Sequence, residues 1–311
     1  MTELSSSSNL LSILKISLIL MVGLSSCALS ETPIQSTATT TSQPTQVTID
    51  KTQTETPSLT QTAAPCVDNK GTIIDKEVPS KLLTESIRIK VYLPPCYSTK
   101  SDVKYSVLYM LHGQTSLDDQ WVRIGLLSEM DDLLAQKKVN PFVIVLPNEI
   151  RSNTDSVKSK YGDAIVQEVI PYINQQFNVC TERECRAIGG LSRGGNWAVH
   201  LGFSNPELFS AVGAHSAPLF YGEITNILRI NTNSESIATL PVFYIDVGNK
   251  DEDHADVMLF LDTLQNLNIP RQFNNNIGYH DETYWHAHVQ DYLLWYDSQL
   301  KPPSEVQDTK N

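Results

Sequence analysis

No Phe, Trp or Tyr occurs before Tyr92 in this chain of 311 residues. A stretch of that length without aromatic side chains cannot all be packed core, so the amino-terminal part must be read apart from the rest. Basic charge is also scarce: 23 Lys and Arg stand against 35 Asp and Glu, a net charge of -12. Nucleic-acid binders need clustered cations, so that class is excluded. No apolar run reaches the roughly 18 to 20 residues of a spanning helix, which excludes a polytopic membrane protein. Cysteine is sparse at five residues, and no Cys-x2-Cys pair offers the commonest zinc spacing. What remains is globular: 41% apolar and 19% charged residues, enough for one large domain or two small ones.

Residues 1–26 read as an export signal. Lys15 supplies a positive charge, residues 16–24 form a short apolar core, and Ser25 and Ser26 are small residues at a cleavage point. Leu24-Ser25-Ser26-Cys27 resembles the lipobox of bacterial lipoproteins, which implies a lipid-modified Cys27 tethering the protein to the outer face of a membrane without spanning it. After Cys27 the chain to residue 65 is dominated by Thr, Ser, Gln and Pro, with no Gly. Such a segment buries too little apolar surface to offset its ordering entropy, and reads as a disordered stalk. The folded domain is expected over residues 66–300, followed by a flexible tail at 301–311. In an exported chain the four remaining cysteines are expected to pair, as Cys66–Cys96 and Cys180–Cys185.

Residues 71–78 and 86–93 read as an antiparallel hairpin. Beyond it, short apolar runs at 105–111, 142–146, 186–189, 211–214, 242–245 and 272–273 alternate with helical periods. Several runs are apolar on consecutive positions, which suits strands covered on both faces. Tyr161, Ile165, Val169, Ile173 and Phe177 recur every four residues, with a kink expected at Pro171. Residues 257–267 and 284–300 make two further helices. The alternation predicts an α/β domain: a mostly parallel sheet behind the hairpin, with helices on both faces.

The informative segment is Gly189-Gly190-Leu191-Ser192-Arg193-Gly194-Gly195. A Gly-x-Ser-x-Gly pattern between an apolar strand and a helix is the setting in which a nucleophilic serine sits on a strained turn. Small flanking residues let strand and helix backbones approach closely. Acyl transfer also needs two backbone donors for the developing oxyanion. One is expected from Arg193, the residue after the serine, and the other from Gln114 in the polar loop after Leu111-His112-Gly113. The base should follow the nucleophile. His280, in a loop between the last strand and last helix, is the candidate, while His112, His200, His286 and His288 read as structural or solvated. The acid is sought among Asp246, Asp251, Glu252 and Asp253. Asp251 is preferred, Asp253 is its rival, and Asp246 is expected to fix the loop through backbone hydrogen bonds. His215, Ser216, Trp121, Tyr279 and Trp285 are candidate pocket residues; His215 and Ser216 could equally be a buried structural pair.

At this point the chain resembles the esterase family of α/β-hydrolases that includes feruloyl esterases, esterase D and bacterial mycolyltransferases. The likeness rests on ordered motifs: Val91-Tyr92-Leu93-Pro94-Pro95, the Leu-His-Gly strand end, Glu168 to Ile173, the serine turn, Gly248-Asn249-Lys250-Asp251, and Gly278-Tyr279-His280-Asp281 with Trp285 beyond it. It implies an α/β-hydrolase fold and a Ser–His–Asp carboxylic-ester hydrolase without cofactor or metal. Tyr279 stands where the family usually has a small residue. The expected substrate is an extracellular ester, with feruloyl, acetyl and siderophore esters as candidates. An acyltransferase would use the same triad, and a non-enzymatic surface-binding domain would be expected to lack one of its members. A metal hydrolase would have only the run Asp251-Glu252-Asp253-His254 to draw on.

Overall fold

The structure, a computed structural model, describes residues 68–99, 102–229 and 234–305. The expected signal, Cys27, the stalk and Cys66 lie outside the described residues. The expected hairpin is formed by β1 (Thr72–Val78) and β2 (Ile87–Leu93), paired antiparallel. A two-residue strand, β3 (Val103–Lys104), precedes β4 (Val107–Leu111), which is buried at every position. Strand β4 starts later than the apolar run does, because Tyr105 instead bridges to Val179. Two helices that the sequence reading does not assign follow: α1 (Gln120–Arg123) and α2 (Leu126–Ala135). Gly125, at φ 91, supplies the left-handed residue between them.

Next come β5 (Val143–Pro147), α3 (Tyr161–Ala164), a π-helical turn at Ile165–Val169 and α4 (Ile170–Gln176). Pro171 has no N–H, and its ring crowds the carbonyl four residues back. A wide π-helical turn lies just before it, and the segment continues as helix through Pro171. The remaining elements are β6 (Arg186–Leu191), α5 (Arg193–Ser204), β7 (Ala211–His215), α6 (Glu223–Ile227) and α7 (Ser234–Thr239). They are followed by β8 (Val242–Gly248), α8 (His254–Asn266), β9 (Arg271–Asn276), α9 (Glu282–Gln299) and β10 (Ser304–Glu305). Strand β9 is much longer than the two residues, Gln272 and Phe273, read as a strand. It is an edge strand, with one neighbour, so polar side chains are tolerated along it.

Eight strands form one sheet in the order β1-β2-β5-β4-β6-β7-β8-β9. The first three are joined antiparallel and the rest parallel. Both faces are covered, and the pleat shows it: Val107, Tyr109 and Leu111 enter one core with α5 and α8 residues, while Leu108 and Met110 enter the other with α2 and α9 residues. Parallel strands bring the carboxyl ends of β4, β5, β6, β7, β8 and β9 to one rim, and the chemistry-bearing loops leave from there. Among the described residues, no helix is long and apolar enough to cross a membrane.

Cys180 and Cys185 form a disulfide with a Cα separation of 5.8 Å, just before β6. Closing so short a loop contributes about 2 kcal/mol in the chain-entropy picture. The double variant Cys180→Ser/Cys185→Ser is therefore expected to lose about 2 kcal/mol in denaturant unfolding, with an unchanged far-UV circular dichroism spectrum. The chain beyond Leu300, expected as a tail, first pairs β10 with β3. The Ser106 hydroxyl donates to the Lys301 carbonyl beside that pairing.

Candidate active site

Ser192 joins β6 to α5 at φ 51, ψ -121, a backbone conformation that L side chains rarely adopt. The turn is possible because its flanks lack side chains. A Cβ on Gly190 would collide with the backbone of Gly194, and one on Gly194 would collide with the carbonyl of Leu111. The Ser192 N–H donates to the His215 carbonyl at 2.8 Å, tying the turn to the end of β7. The residue remains partly exposed at the rim.

Arg193 opens α5 and is held from the side. Its guanidinium donates two hydrogen bonds to the buried Glu149 carboxylate, at 2.8 and 2.7 Å, and one to the Thr154 carbonyl at 2.8 Å. Trp197 Nε1 donates to the same carboxylate at 3.1 Å. A bidentate buried pair of this kind fixes orientation as well as charge. Opposite it, the loop after β4 is pinned by its own residues. The Gly113 N–H donates to Gln120 Oε1 at 2.8 Å, and the Thr115 N–H to Ser152 Oγ at 3.1 Å. Neither the Gln114 nor the Arg193 backbone N–H meets an acceptor among the described residues. His112 braces this loop: Nδ1–H donates to the Gly113 carbonyl and Nε2 accepts from the Glu149 N–H, each at 2.8 Å. Burial lowers its pKa, in keeping with a neutral ring holding both bonds.

The loop after β8 carries Asp251 and the loop after β9 carries His280. Their contact is close and symmetric, with Nδ1 at 3.0 Å from both Asp251 oxygens. Asp253 lies further off, at 3.5 Å, and its N–H donates to Asp251 Oδ1 at 2.8 Å. Burial opposes charge on every member of this group, yet the pKa values separate. For Asp251 burial opposes the charge but is outweighed by the hydrogen bonds from the His280 ring and the Asp253 N–H, so its pKa is lowered. For Asp253 burial dominates, and the neighbouring carboxylates add to it, so its pKa is raised. For His280 burial pulls downward, but the Asp251 hydrogen bond and the charges of Asp251, Asp253 and Glu252 raise it above 6.5.

Several expectations are corrected by the fold. Trp121 is 1% exposed and donates to the Leu111 carbonyl, so it packs beneath the rim instead of lining a pocket. His215 and Ser216 are wholly buried, and Trp285 nearly so. Asp246 does not fix a loop through backbone bonds with its side chain. It accepts from His215 Nδ1 at 2.6 Å and from the hydroxyls of Tyr284 and Tyr292 at 2.8 and 2.7 Å, while Tyr296 OH lies 3.1 Å from His215 Nε2. His286 is exposed, as expected of a solvated helix residue, and also donates to the Ile124 carbonyl at 2.8 Å. His200 faces Glu223 at 3.0 Å. Of the pocket candidates only Tyr279 is exposed, at 55%, with Lys250 Nζ 5.3 Å from its ring centroid. Glu149 and Gln120 are the supporting residues that sequence reasoning missed. The signal for Glu149 is its place two residues past an all-buried parallel strand, where a carboxylate needs a partner.

Two sets of side chains have metal-ligand spacing among the described residues: Cys180, Glu182 and Cys185, and Asp251, Asp253 and His280. The two thiols of the first are joined in the disulfide. In the second, a cation would compete for the Asp251 oxygens that already receive His280 Nδ1–H.

A serine on a left-handed turn between strand and helix, at the carboxyl rim of an eight-stranded sheet with this strand order, defines an α/β-hydrolase. Residues 80–301 match the model of the Esterase family, and the chain belongs to that family of serine carboxylic-ester hydrolases. It superposes on the solved structure of a ferulic acid esterase with a TM-score of 0.68 and 26% identity, covering 75% of this chain and 99% of that one. The acetyl esterase of Caldicellulosiruptor saccharolyticus is 21% identical over 70% of this chain and 94% of its own length. The endo-1,4-beta-xylanase/feruloyl esterase of Xylanibacter ruminicola is 29% identical over 43% of this chain, which spans only 20% of that longer protein.

Proposed function

We propose that the protein hydrolyses carboxylic esters outside the cytoplasm through Ser192, His280 and Asp251. In this reading Ser192 Oγ attacks the ester carbonyl while His280 Nε2 takes its proton. The same proton passes to the leaving alkoxide, and water then cleaves the acyl-enzyme by the reverse use of His280. Asp251 holds the imidazole in the Nδ1–H tautomer, and the backbone N–H groups of Gln114 and Arg193 receive the oxyanion. The observation that carries the reading is the 3.0 Å contact of His280 Nδ1 with both Asp251 oxygens, from loops on the same rim as the strained Ser192 turn. A fluorophosphonate probe should label the protein on the peptide containing Ser192 alone. Labelling elsewhere, or none, contradicts the mechanism.

The acyl group is proposed to be feruloyl or acetyl, esterified to a polysaccharide. The names of the relatives support it, and so does Tyr279, which offers an exposed aromatic face beside His280 for a sugar or aryl ring. Turnover of methyl ferulate or of acetylated xylan, against little turnover of siderophore esters, is the expected pattern. The pH dependence follows from His280. A base must be unprotonated, so kcat/KM falls as pH drops through its pKa. Because the Asp251 contact raises that pKa, the acid limb should have its midpoint above 6.5. A midpoint at or below 6.5 would detach His280 from the acid limb.

The proposed location rests on Cys27 and the segment before it. Expressed in a bacterium, the chain should partition with membranes and carry the mass of a lipidated cysteine. Cys27→Ser should abolish both, and unchanged partitioning would rule the anchor out.

A further inference from the structure

We propose that Glu149 is a positioning residue for the oxyanion hole, joining the loop after β4 to the start of α5 so that the Gln114 and Arg193 N–H groups keep one fixed spacing. The proposal rests on the reading that these two groups receive the oxyanion, and it names what holds them together.

The need for such a residue follows from the sheet. Gln114 and Arg193 lie just past β4 and β6, neighbours whose last register pair is Leu111 with Gly190. Beyond that pair the sheet no longer sets the distance between the two chains. Gln114 is exposed, and Thr115 beside it sits at φ 61, a left-handed conformation that a β-branched residue adopts only when held. The loop after β5 supplies the hold. The Glu149 N–H donates to His112 Nε2 at 2.8 Å, and the Thr115 N–H donates to Ser152 Oγ at 3.1 Å. Further out, Gln114 Nε2 donates to Asn153 Oδ1 at 3.0 Å.

The same loop grips the other donor. The Glu149 carboxylate accepts from Arg193 Nε and from a terminal guanidinium nitrogen, at 2.8 and 2.7 Å, and from Trp197 Nε1 at 3.1 Å. The Thr154 carbonyl takes a further bond from the guanidinium at 2.8 Å. The rings of Trp197 and Phe220 have their centroids 5.7 and 5.4 Å from the guanidinium carbon, which leaves it little room to swing. Glu149 thus belongs to both sets, with its N–H on the β4 side and its carboxylate on the α5 side. Both members of the Glu149–Arg193 pair are buried, so the spacing is set before substrate arrives and no donor reorganises as charge develops.

Glu149→Gln keeps the backbone bond to His112 and puts an NH2 group where one of the two acceptors for Arg193 stood. It should lower kcat for p-nitrophenyl acetate about thirtyfold, less than the loss of a whole oxyanion donor, with KM within about threefold. Phenylboronic acid, which adds to a serine hydroxyl as a tetrahedral anion, should lose about the same factor in affinity. The acid limb of kcat/KM should stay in place, because the Asp251–His280 contact is untouched. Arg193→Met keeps the backbone N–H, and combined with Glu149→Gln it should cost no more than the costlier single change. Ser152→Ala cuts the brace on the β4 side and should weaken boronate binding and kcat about fivefold, the scale of one hydrogen bond. It takes the place of Glu149→Gln if that variant does not fold. Unchanged boronate affinity in the variant measured, or a loss confined to KM, overturns the proposal. Two controls separate the levels. If the boronate does not inhibit the parent, or Ser192→Ala keeps turnover, the underlying reading fails and the proposal falls with it. If the parent is inhibited and Ser192→Ala is inactive, unchanged boronate affinity removes the Glu149 role alone.

Discussion

Ser192→Ala should reduce kcat for ester hydrolysis by about 10⁵-fold or more, with a melting temperature within about 2 °C of the parent. The loss is large because the nucleophile, base and acid act as a unit, and without the hydroxyl there is no acyl-enzyme to form. The residual rate reflects only what the oxyanion donors and substrate binding contribute. The fold should not notice, because the Ser192 side chain makes no capping bond to α5 and the turn is held by Gly190, Gly194 and the bond from the Ser192 N–H to His215. Turnover of p-nitrophenyl acetate above about a hundredth of the parent rate would exclude covalent catalysis by this residue.

Asp251→Asn should lower kcat by about 10⁴, since an amide no longer selects the Nδ1–H tautomer of His280 or stabilises the imidazolium that forms. Asp253→Asn should stay within about threefold of the parent, its carboxylate being 3.5 Å from Nδ1 with a raised pKa. Asp246→Asn should separate from both. Its carboxylate is the acceptor for His215, Tyr284 and Tyr292 in a fully buried site. Disturbing such a group costs about 3 kcal/mol, or about 6 to 12 °C in a domain of this size. The three variants thus divide into one lost turnover, one neutral change and one lost stability. An inactive Asp253→Asn beside an active Asp251→Asn would transfer the acid role.

The serine turn was legible because its requirements are local: an apolar strand, small residues within a few positions, and a helix behind. The sheet was legible for a related reason, since strands buried on both faces read as short continuous apolar runs. Features set by distant packing were not legible. Trp121 sits in a segment that reads as polar loop, and its burial comes from contact with Tyr292 and His215, far along the chain. Asp246 looks like any strand-end carboxylate, and its partners are 31, 38 and 46 residues away. Helix α2 did carry a signal, with Leu126, Leu127, Met130 and Leu133 on one face, but the reading assigned no element to it.

The hub around Asp246 bears on the order in which the molecule can be completed. Strand β8 brings the carboxylate and β7 brings His215, but the tyrosine hydroxyls arrive only with α9, the last helix of the domain. Until that helix docks, the carboxylate must keep water, and a hydrated seam cannot close over the centre of the sheet. During synthesis the ribosome therefore releases a chain that contains the serine, both loops and nearly every strand, yet cannot seal them. Ending the chain after His280 would yield an unsealed intermediate with exposed strands, a species prone to aggregate, and not a smaller esterase.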